Sequence, residues 1–93
     1  MATKRKSIIT DDVTTCFICG RPASDIHHCL HGTANRRWAD KYDLVVGLCQ
    51  ACHMGVHDKG INDEILKMAA QTAFEKKCGS RIEFINIFGK NYL

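Results

Sequence analysis

Long hydrophobic runs are missing from the sequence. No stretch approaches the roughly 20 apolar residues that a membrane-spanning helix needs, so we expect no membrane partner. The first ten residues include Lys4, Arg5 and Lys6 and contain no apolar core of the kind that a secretory signal has. We therefore expect a cytoplasmic protein, and in that reducing compartment paired cysteines favour a metal site over disulfide bonds.

A strong excess of one charge sign is also absent, as are internal repeats and low-complexity segments. The net charge of +3 and the pI near 8.6 are compatible with a nucleic-acid partner but do not require one. With 93 residues the chain should form one domain, whose core is small enough to depend on metal ions. We expect a flexible basic N-terminus over residues 1–12, a site-bearing core over 13–60 and a helical extension over 61–93.

Cysteine, in contrast, is plentiful for a chain of this length. The six cysteines are Cys16, Cys19, Cys29, Cys49, Cys52 and Cys78. Four of them form two CxxC pairs, and four thiolates are the ligand set of a closed tetrahedral structural zinc site. We therefore predict Zn²⁺ at Cys16, Cys19, Cys49 and Cys52, with ordinary reduced thiols or a redox-active pair as the alternative. The other two cysteines are interpreted as small apolar residues.

The predicted elements around these ligands form a small α+β fold. Gly20 permits the tight turn that the first cysteine pair requires. Residues 44–48 are predicted to be a buried strand, and a helix is predicted from Ala51 onward. Residues 31–41 are expected to be the loop of a hairpin, with Gly32 as a turn signal. A knuckle, a hairpin and a helix in this order would make a zinc-stabilised treble clef.

Two C-terminal helices are expected to pack on this core. The first is predicted over residues 61–78, with Asn62 as its N-cap. The second is predicted over residues 80–88 and starts with a capping box formed by Ser80 and Glu83. Its buried stripe is expected to consist of Ile82, Ile85 and Phe88.

Four of the five histidines fall in two clusters. His53 and His57 are at i and i+4, so on a helix their imidazoles share one face. His27 and His28 are adjacent, so on a strand they point to opposite faces and only one can join the helix histidines. Three imidazoles leave coordination positions open for water and a phosphate oxygen, as a catalytic metal site requires.

Residues 16–57 resemble the HNH (His-Me finger, ββα-metal) endonucleases, specifically those with two CxxC pairs around the active-site hairpin. The HH…HxxxH pattern is also similar to that of the colicin-type nuclease domains. The matching segments are Ile26-His27-His28, Asp43-Leu44-Val45 and Cys49-Gln50-Ala51-Cys52-His53, together with His57. The resemblance implies a ββα-metal core and a metal-dependent DNA endonuclease that hydrolyses phosphodiester bonds.

The resemblance also implies a role for each matching residue. His28 corresponds to the general base, and His27, His53 and His57 correspond to the ligands of a catalytic Mg²⁺, Mn²⁺ or other divalent transition metal. Asp43 stands where the family usually has asparagine, a residue that orients the base. An aspartate can accept a hydrogen bond from the ring of His28 and support its basicity.

The segment between the histidine pair and Asp43 is basic. Arg36, Arg37 and Lys41 are candidate DNA-binding residues, because a forked guanidinium suits phosphate oxygens. A merely solvated basic loop is the open alternative. Trp38 and Tyr42 are assigned to packing.

A weaker likeness concerns residues 32–37 and 84–93, which resemble parts of small phage- or prophage-encoded HNH proteins. It implies a phage or prophage origin in a bacterial host. One alternative is a nuclease that acts only with a phage packaging or recombination protein as its partner. The alternative from a different functional class is a non-catalytic zinc-binding module that grips DNA or a protein.

Overall fold

The computed structural model describes residues 6–30 and 33–93. Within them the chain forms a small α+β structure with a two-stranded sheet and four helices. The elements in chain order are β1 (Asp25–His28), α1 (Thr33–Lys41), β2 (Val45–Leu48), α2 (Gln50–Lys59), α3 (Asp63–Lys77) and α4 (Arg81–Phe88). The predicted α+β class is confirmed. None of the helices among the described residues is long and apolar enough to cross a membrane.

The sheet is an antiparallel pair of short strands. β2 is buried along its whole length, which confirms the strand predicted over residues 44–48. In the register, His27 lies opposite Val46 and His28 lies opposite Val45. β1 is thereby fixed against the core, and its two histidines are presented on opposite faces of the sheet.

The connection between the strands differs from the prediction. Residues 31–41 were expected to be a loop, but residues 33–41 form the helix α1; His31 and Gly32 lie outside the described residues. Ala39 is fully buried, and Trp38 and Tyr42 pack partly buried against the core. This apolar side holds the helix against β1 and α4. The apolar residues Trp38, Ala39 and Tyr42 recur at helical spacing, and this signal was missed because Gly32 was interpreted as the turn of a hairpin.

Helix α2 confirms the helix predicted at the second cysteine pair. It follows Cys49, which occupies the N-cap position with an extended backbone. It ends at Gly60, where a φ of 67° gives the left-handed conformation that terminates many helices. One ten-residue element therefore carries Cys52, His53 and His57.

The two C-terminal helices are confirmed, with differences in their details. Asn62 occupies the N-cap position of α3, but its side chain makes no capping hydrogen bond. The capping box of α4 is present as predicted, with Ser80 and Glu83 bonded reciprocally. The predicted buried stripe of α4 is wrong at Ile82, which is 71% exposed, whereas Phe84 is fully buried.

Aromatic packing explains the orientation of α4. Phe74 lies at the centre of the core, with its ring centroid 5.2 Å from that of Tyr42 and 5.4 Å from that of Phe84. Phe84 and Phe88 are one turn apart and both contact Phe74. Two phenylalanines bury more apolar area than two isoleucines, so they determine which face of α4 turns inward.

The core is shared by both halves of the chain. Buried residues from 13–60 and from α3 and α4 form one hydrophobic cluster, including Leu30, Leu44, Val46, Leu48, Val56, Leu66, Ala70, Phe74, Phe84 and Phe88. The C-terminal helices therefore complete the core that supports the strands.

The start of the described chain lies on this core. Ser7 Oγ donates a hydrogen bond of 2.6 Å to the carbonyl of Val45, and the N–H of Ile8 donates to the carbonyl of Asp43 at 3.1 Å. Ile8 and Ile9 pack partly buried against the core. Residues 7–9 thus lie against the core. The flexibility expected over residues 1–12 stays a prediction, and residues 1–5 lie outside the described part.

Candidate metal centres and the histidine pocket

The first cysteine pair lies on a tight knuckle. The N–H of Gly20 donates to the carbonyl of Cys16 at 3.0 Å, and the N–H of Cys16 donates to the carbonyl of Arg21 at 2.6 Å. Gly20 has a φ of 81°, a conformation that glycine adopts without strain. The predicted need for glycine at this turn is confirmed, and the turn brings the two sulfur atoms of the pair together.

The knuckle lies directly on β2. The N–H of Phe17 donates to the carbonyl of Gly47 at 2.8 Å. A Cβ atom at position 47 would collide with the backbone carbonyl of Val13 and would lie 2.9 Å from the Cβ of Ala23. Only glycine allows this approach, and sequence reasoning missed Gly47 because the contact is between segments far apart in the chain.

The four cysteines of the two CxxC pairs come together. Their sulfur atoms all lie within 4.8 Å of one another, and Sγ of Cys19 is 3.5 Å from Sγ of Cys49. Tetrahedral zinc with Zn–S bonds of about 2.3 Å places its sulfur ligands about 3.8 Å apart. The cluster of Cys16, Cys19, Cys49 and Cys52 has the chemistry and spacing that could bind zinc.

Backbone amides favour thiolates in this cluster. Burial raises the pKa of Cys16, but N–H groups of Cys19, Cys49 and Ile18 outweigh it and bring that pKa to about 6. The N–H of Cys52 lowers the pKa of Cys49. Burial and the neighbouring thiols raise the pKa of Cys52 to about 12. A cation among the sulfur atoms would remove that last penalty, because it stabilises every thiolate it contacts.

The two remaining cysteines have different surroundings. Cys29 is completely buried, and burial raises the pKa of its thiol to about 12. It behaves as the small apolar residue that was predicted. Cys78 is exposed at the C-cap of α3, so it is not part of the core.

A second cluster consists of His27, His53 and His57. One ring nitrogen from each lies within 4.8 Å of the other two. Nε2 of His53 and Nε2 of His57 are 2.9 Å apart. His27 projects from β1 and is 3% exposed, whereas the other two project from α2 at the predicted spacing of one turn. The structure thus brings together the three residues proposed as ligands of a catalytic metal.

A carboxylate that sequence reasoning missed orients this cluster. Oδ2 of Asp25 lies 3.0 Å from Nδ1 of His53. Histidines that bind metals through one nitrogen commonly donate the other N–H to a carboxylate, which fixes the ring. Asp25 precedes His27 by two residues on β1, so strand alternation places both on one face. The two-residue spacing between Asp25 and His27 is the sequence signal that could have identified Asp25.

His28 borders the same cluster from the other side. Its Nε2 atom lies 3.3 Å from Oδ1 of Asp40, near the end of α1. Sequence reasoning assigned the orienting role to Asp43, which lies between α1 and β2 with a φ of 56°. The role of Asp43 remains a prediction, and Asp40 was missed because its segment was expected to be a loop.

The three clustered histidines and His28 line one open pocket of about 190 Å³. Its lining consists of Ile26, His27, His28, Arg36, His53 and His57. A neighbouring pocket is lined by His28, Arg36, Arg37 and Asp40. Two of the three predicted DNA-binding residues therefore border the site. The third, Lys41, places its Nζ atom 5.0 Å from the centroid of the Trp38 ring.

Comparisons of the chain with protein-family models, curated proteins and solved structures find no match. The interpretation of the site therefore rests on its own geometry and chemistry.

Proposed function

We propose that the protein is a metal-dependent DNA endonuclease of the HNH kind. The observation that carries this proposal is the histidine pocket. Three imidazoles at ligand spacing, a fourth histidine beside them and an arginine line one open cavity. A structural metal site would be closed by its ligands, whereas this arrangement leaves room for water and substrate.

His27, His53 and His57 would hold the catalytic divalent metal. Nitrogen ligands suit transition metals, and an open coordination sphere also admits Mg²⁺ or Mn²⁺ with water. When bound, the ion supplies a positive charge that stabilises a phosphorane and its leaving oxygen. Asp25 supports the set by holding the ring of His53 so that Nε2 faces the other ligands.

His28 is proposed to act as the general base. Its ring lines the pocket but is not one of the three clustered imidazoles, so it can take a proton from water. Arg36 lines the pockets on both sides of His28 and is suited to bind a phosphate next to the cleaved bond. Arg37 is suited to bind a flanking phosphate, and Lys41 to add positive charge along α1.

The cysteine cluster is proposed to hold a structural Zn²⁺ in a treble-clef, ββα-metal core. The knuckle at Cys16 and Cys19, the two strands and the helix that begins after Cys49 follow the order of such a fold. Within this proposal the zinc site supports α2, and α2 supplies two of the three catalytic ligands. The inserted helix α1 is an addition to a simple hairpin.

A plasmid nicking assay tests the nuclease proposal. Protein depleted of loosely bound metal and holding one zinc is incubated with Mg²⁺, Mn²⁺ or Ni²⁺, next to His28→Ala purified in the same way. We expect cleavage that requires added metal and falls at least about a hundredfold in the variant, since general-base catalysis contributes on the order of 10²–10⁴. Equal cleavage by the variant would indicate a contaminating nuclease.

The failure of the wild type to cleave with any ion would contradict the proposal. It would favour the non-catalytic zinc module that binds DNA or a protein, and that module predicts unchanged DNA binding in His28→Ala. A repeat of the assay with a phage packaging or recombination protein added tests the version of the proposal in which a partner is required.

A further inference from the structure

We infer that Asp40 is the residue that positions the general base. The inference rests on the proposed nuclease function and assigns to Asp40 a role that the family resemblance implies for Asp43. Oδ1 of Asp40 lies 3.3 Å from Nε2 of His28. The His28 side chain is 18% exposed and that of Asp40 is 59% exposed, so the pair lies at the rim of the site.

Asp40 contacts His28 from helix α1, in a segment that was expected to be a loop. His28 is the last residue of β1, and α1 packs on β1. Asp40 is one turn beyond Arg36 on α1, so both residues lie on the same side of the helix. That side, with Arg37, lines the pocket next to the ring of His28.

The contact determines which nitrogen of His28 is available to water. A neutral imidazole carries its proton on one nitrogen, and a carboxylate at Nε2 favours the proton there. The lone pair of Nδ1 then remains to accept a proton. Because the His28 ring borders both pockets, it can face Asp40 with one edge and the histidine cluster with the other.

A water O–H bond breaks and its proton passes to Nδ1 of His28, while the water oxygen forms a bond to phosphorus. The bond between phosphorus and the leaving oxygen breaks, and that oxygen takes a proton from solvent. The carboxylate of Asp40 holds the ring of His28 in place during this transfer, and the ring then returns its proton to water.

Asp43 makes the backbone hydrogen bonds of the turn that follows α1. Its carbonyl accepts a hydrogen bond from the N–H of Ile8, and its own N–H donates to the carbonyl of Asp40 at 3.3 Å. Through this second bond the turn at Asp43 can hold the end of α1. A residue at this position would then act on the base through Asp40.

Steady-state kinetics of Asp40→Ala test the inference. We expect kcat to fall about tenfold with KM unchanged, a part of the 10²–10⁴ that a general base contributes, because the contact is single and exposed. Asp40→Glu should restore part of kcat. In the His28→Ala background the same substitution should have no further effect, since the residues act as one unit. Asp11→Ala, at an exposed aspartate outside the site, is the matched control.

A second readout does not depend on activity. In ¹H–¹⁵N spectra of the zinc-loaded protein, His28 should carry its proton on Nε2, and Asp40→Ala should shift the ring toward a mixture of tautomers. A proton on Nδ1 in the wild type, or a kcat in Asp40→Ala equal to that of the control, would overturn the inference. A wild type that cleaves nothing refutes the nuclease itself, so the two failures are distinguishable.

Discussion

Replacing one cysteine of the four-cysteine cluster should abolish both proposed metal sites, because α2 begins at that cluster and carries two of the three clustered histidines. The change that we propose is Cys49→Ser. Cys49 is the N-cap of α2 and contributes one of the four clustered sulfur atoms. Serine is a preferred N-cap residue, so the variant keeps the cap and loses the thiolate. Any loss of stability can then be assigned to the proposed zinc site.

The expected magnitude follows from the loss of the whole ion. Structural zinc contributes about 10–16 kcal/mol of apparent binding free energy in small domains, and a variant that no longer holds zinc loses all of it. Domains of this size have a free energy of unfolding that starts at about 5 kcal/mol. Cys49→Ser should therefore leave the protein largely unfolded or close to its unfolding midpoint at 37 °C. His53 and His57 would then no longer be held near His27.

The assay measures zinc content, helicity and Ni²⁺ binding for three proteins. We expect Cys49→Ser to lose zinc, helical circular dichroism and Ni²⁺ binding together. His53→Ala should keep zinc and helicity and lose only Ni²⁺ binding. Cys78→Ser, at an exposed cysteine outside the cluster, should behave as the wild type. A folded Cys49→Ser protein that still binds Ni²⁺ would refute the idea that zinc supports the histidine site.

The remaining predictions concern single contacts. Gly47→Ala should lower the free energy of unfolding by about 3 kcal/mol or more, because backbone must move to admit the methyl group. Gly55→Ala, where a Cβ meets only ordinary contacts, should be neutral or stabilise by about 0.5–1 kcal/mol, and urea titrations of both variants measure the two changes. Asp25→Ala should weaken Ni²⁺ binding about 10–100-fold in calorimetry through the freed ring of His53, and unchanged affinity would contradict that role. Arg36→Ala should weaken DNA binding and reduce the salt-dependence slope by about 1, whereas an unchanged slope would remove Arg36 from the phosphate contacts.

The features that the sequence predicts correctly are those with local geometry. Two CxxC pairs and an i, i+4 histidine pair indicate their arrangement by spacing alone, and the structure has Cys52, His53 and His57 on one helix. The capping box of α4 is similarly local, since Ser80 and Glu83 satisfy each other within one turn. Such motifs need no knowledge of the rest of the fold.

The features that the sequence does not predict depend on tertiary contacts. Helix α1 has helical spacing in its own sequence, but its packing on β1 and α4 through the buried Ala39 depends on the tertiary fold. The choice of Phe84 over Ile82 for the inner face of α4 depends on Phe74, which is ten residues away in the chain. Asp40 reaches His28 only after α1 has formed.

The proposed catalytic site depends on the same tertiary contacts. The two strands are only four residues each and could not fix four histidines by themselves. In the proposed enzyme, zinc fixes the start of α2, and Gly47 lets the knuckle lie directly on β2. β2 then pairs with β1, and Asp40 of α1 contacts the ring of His28. Each proposed catalytic group is thus held by an element that the proposed zinc site or the shared core supports, and loss of the zinc should affect all of them together.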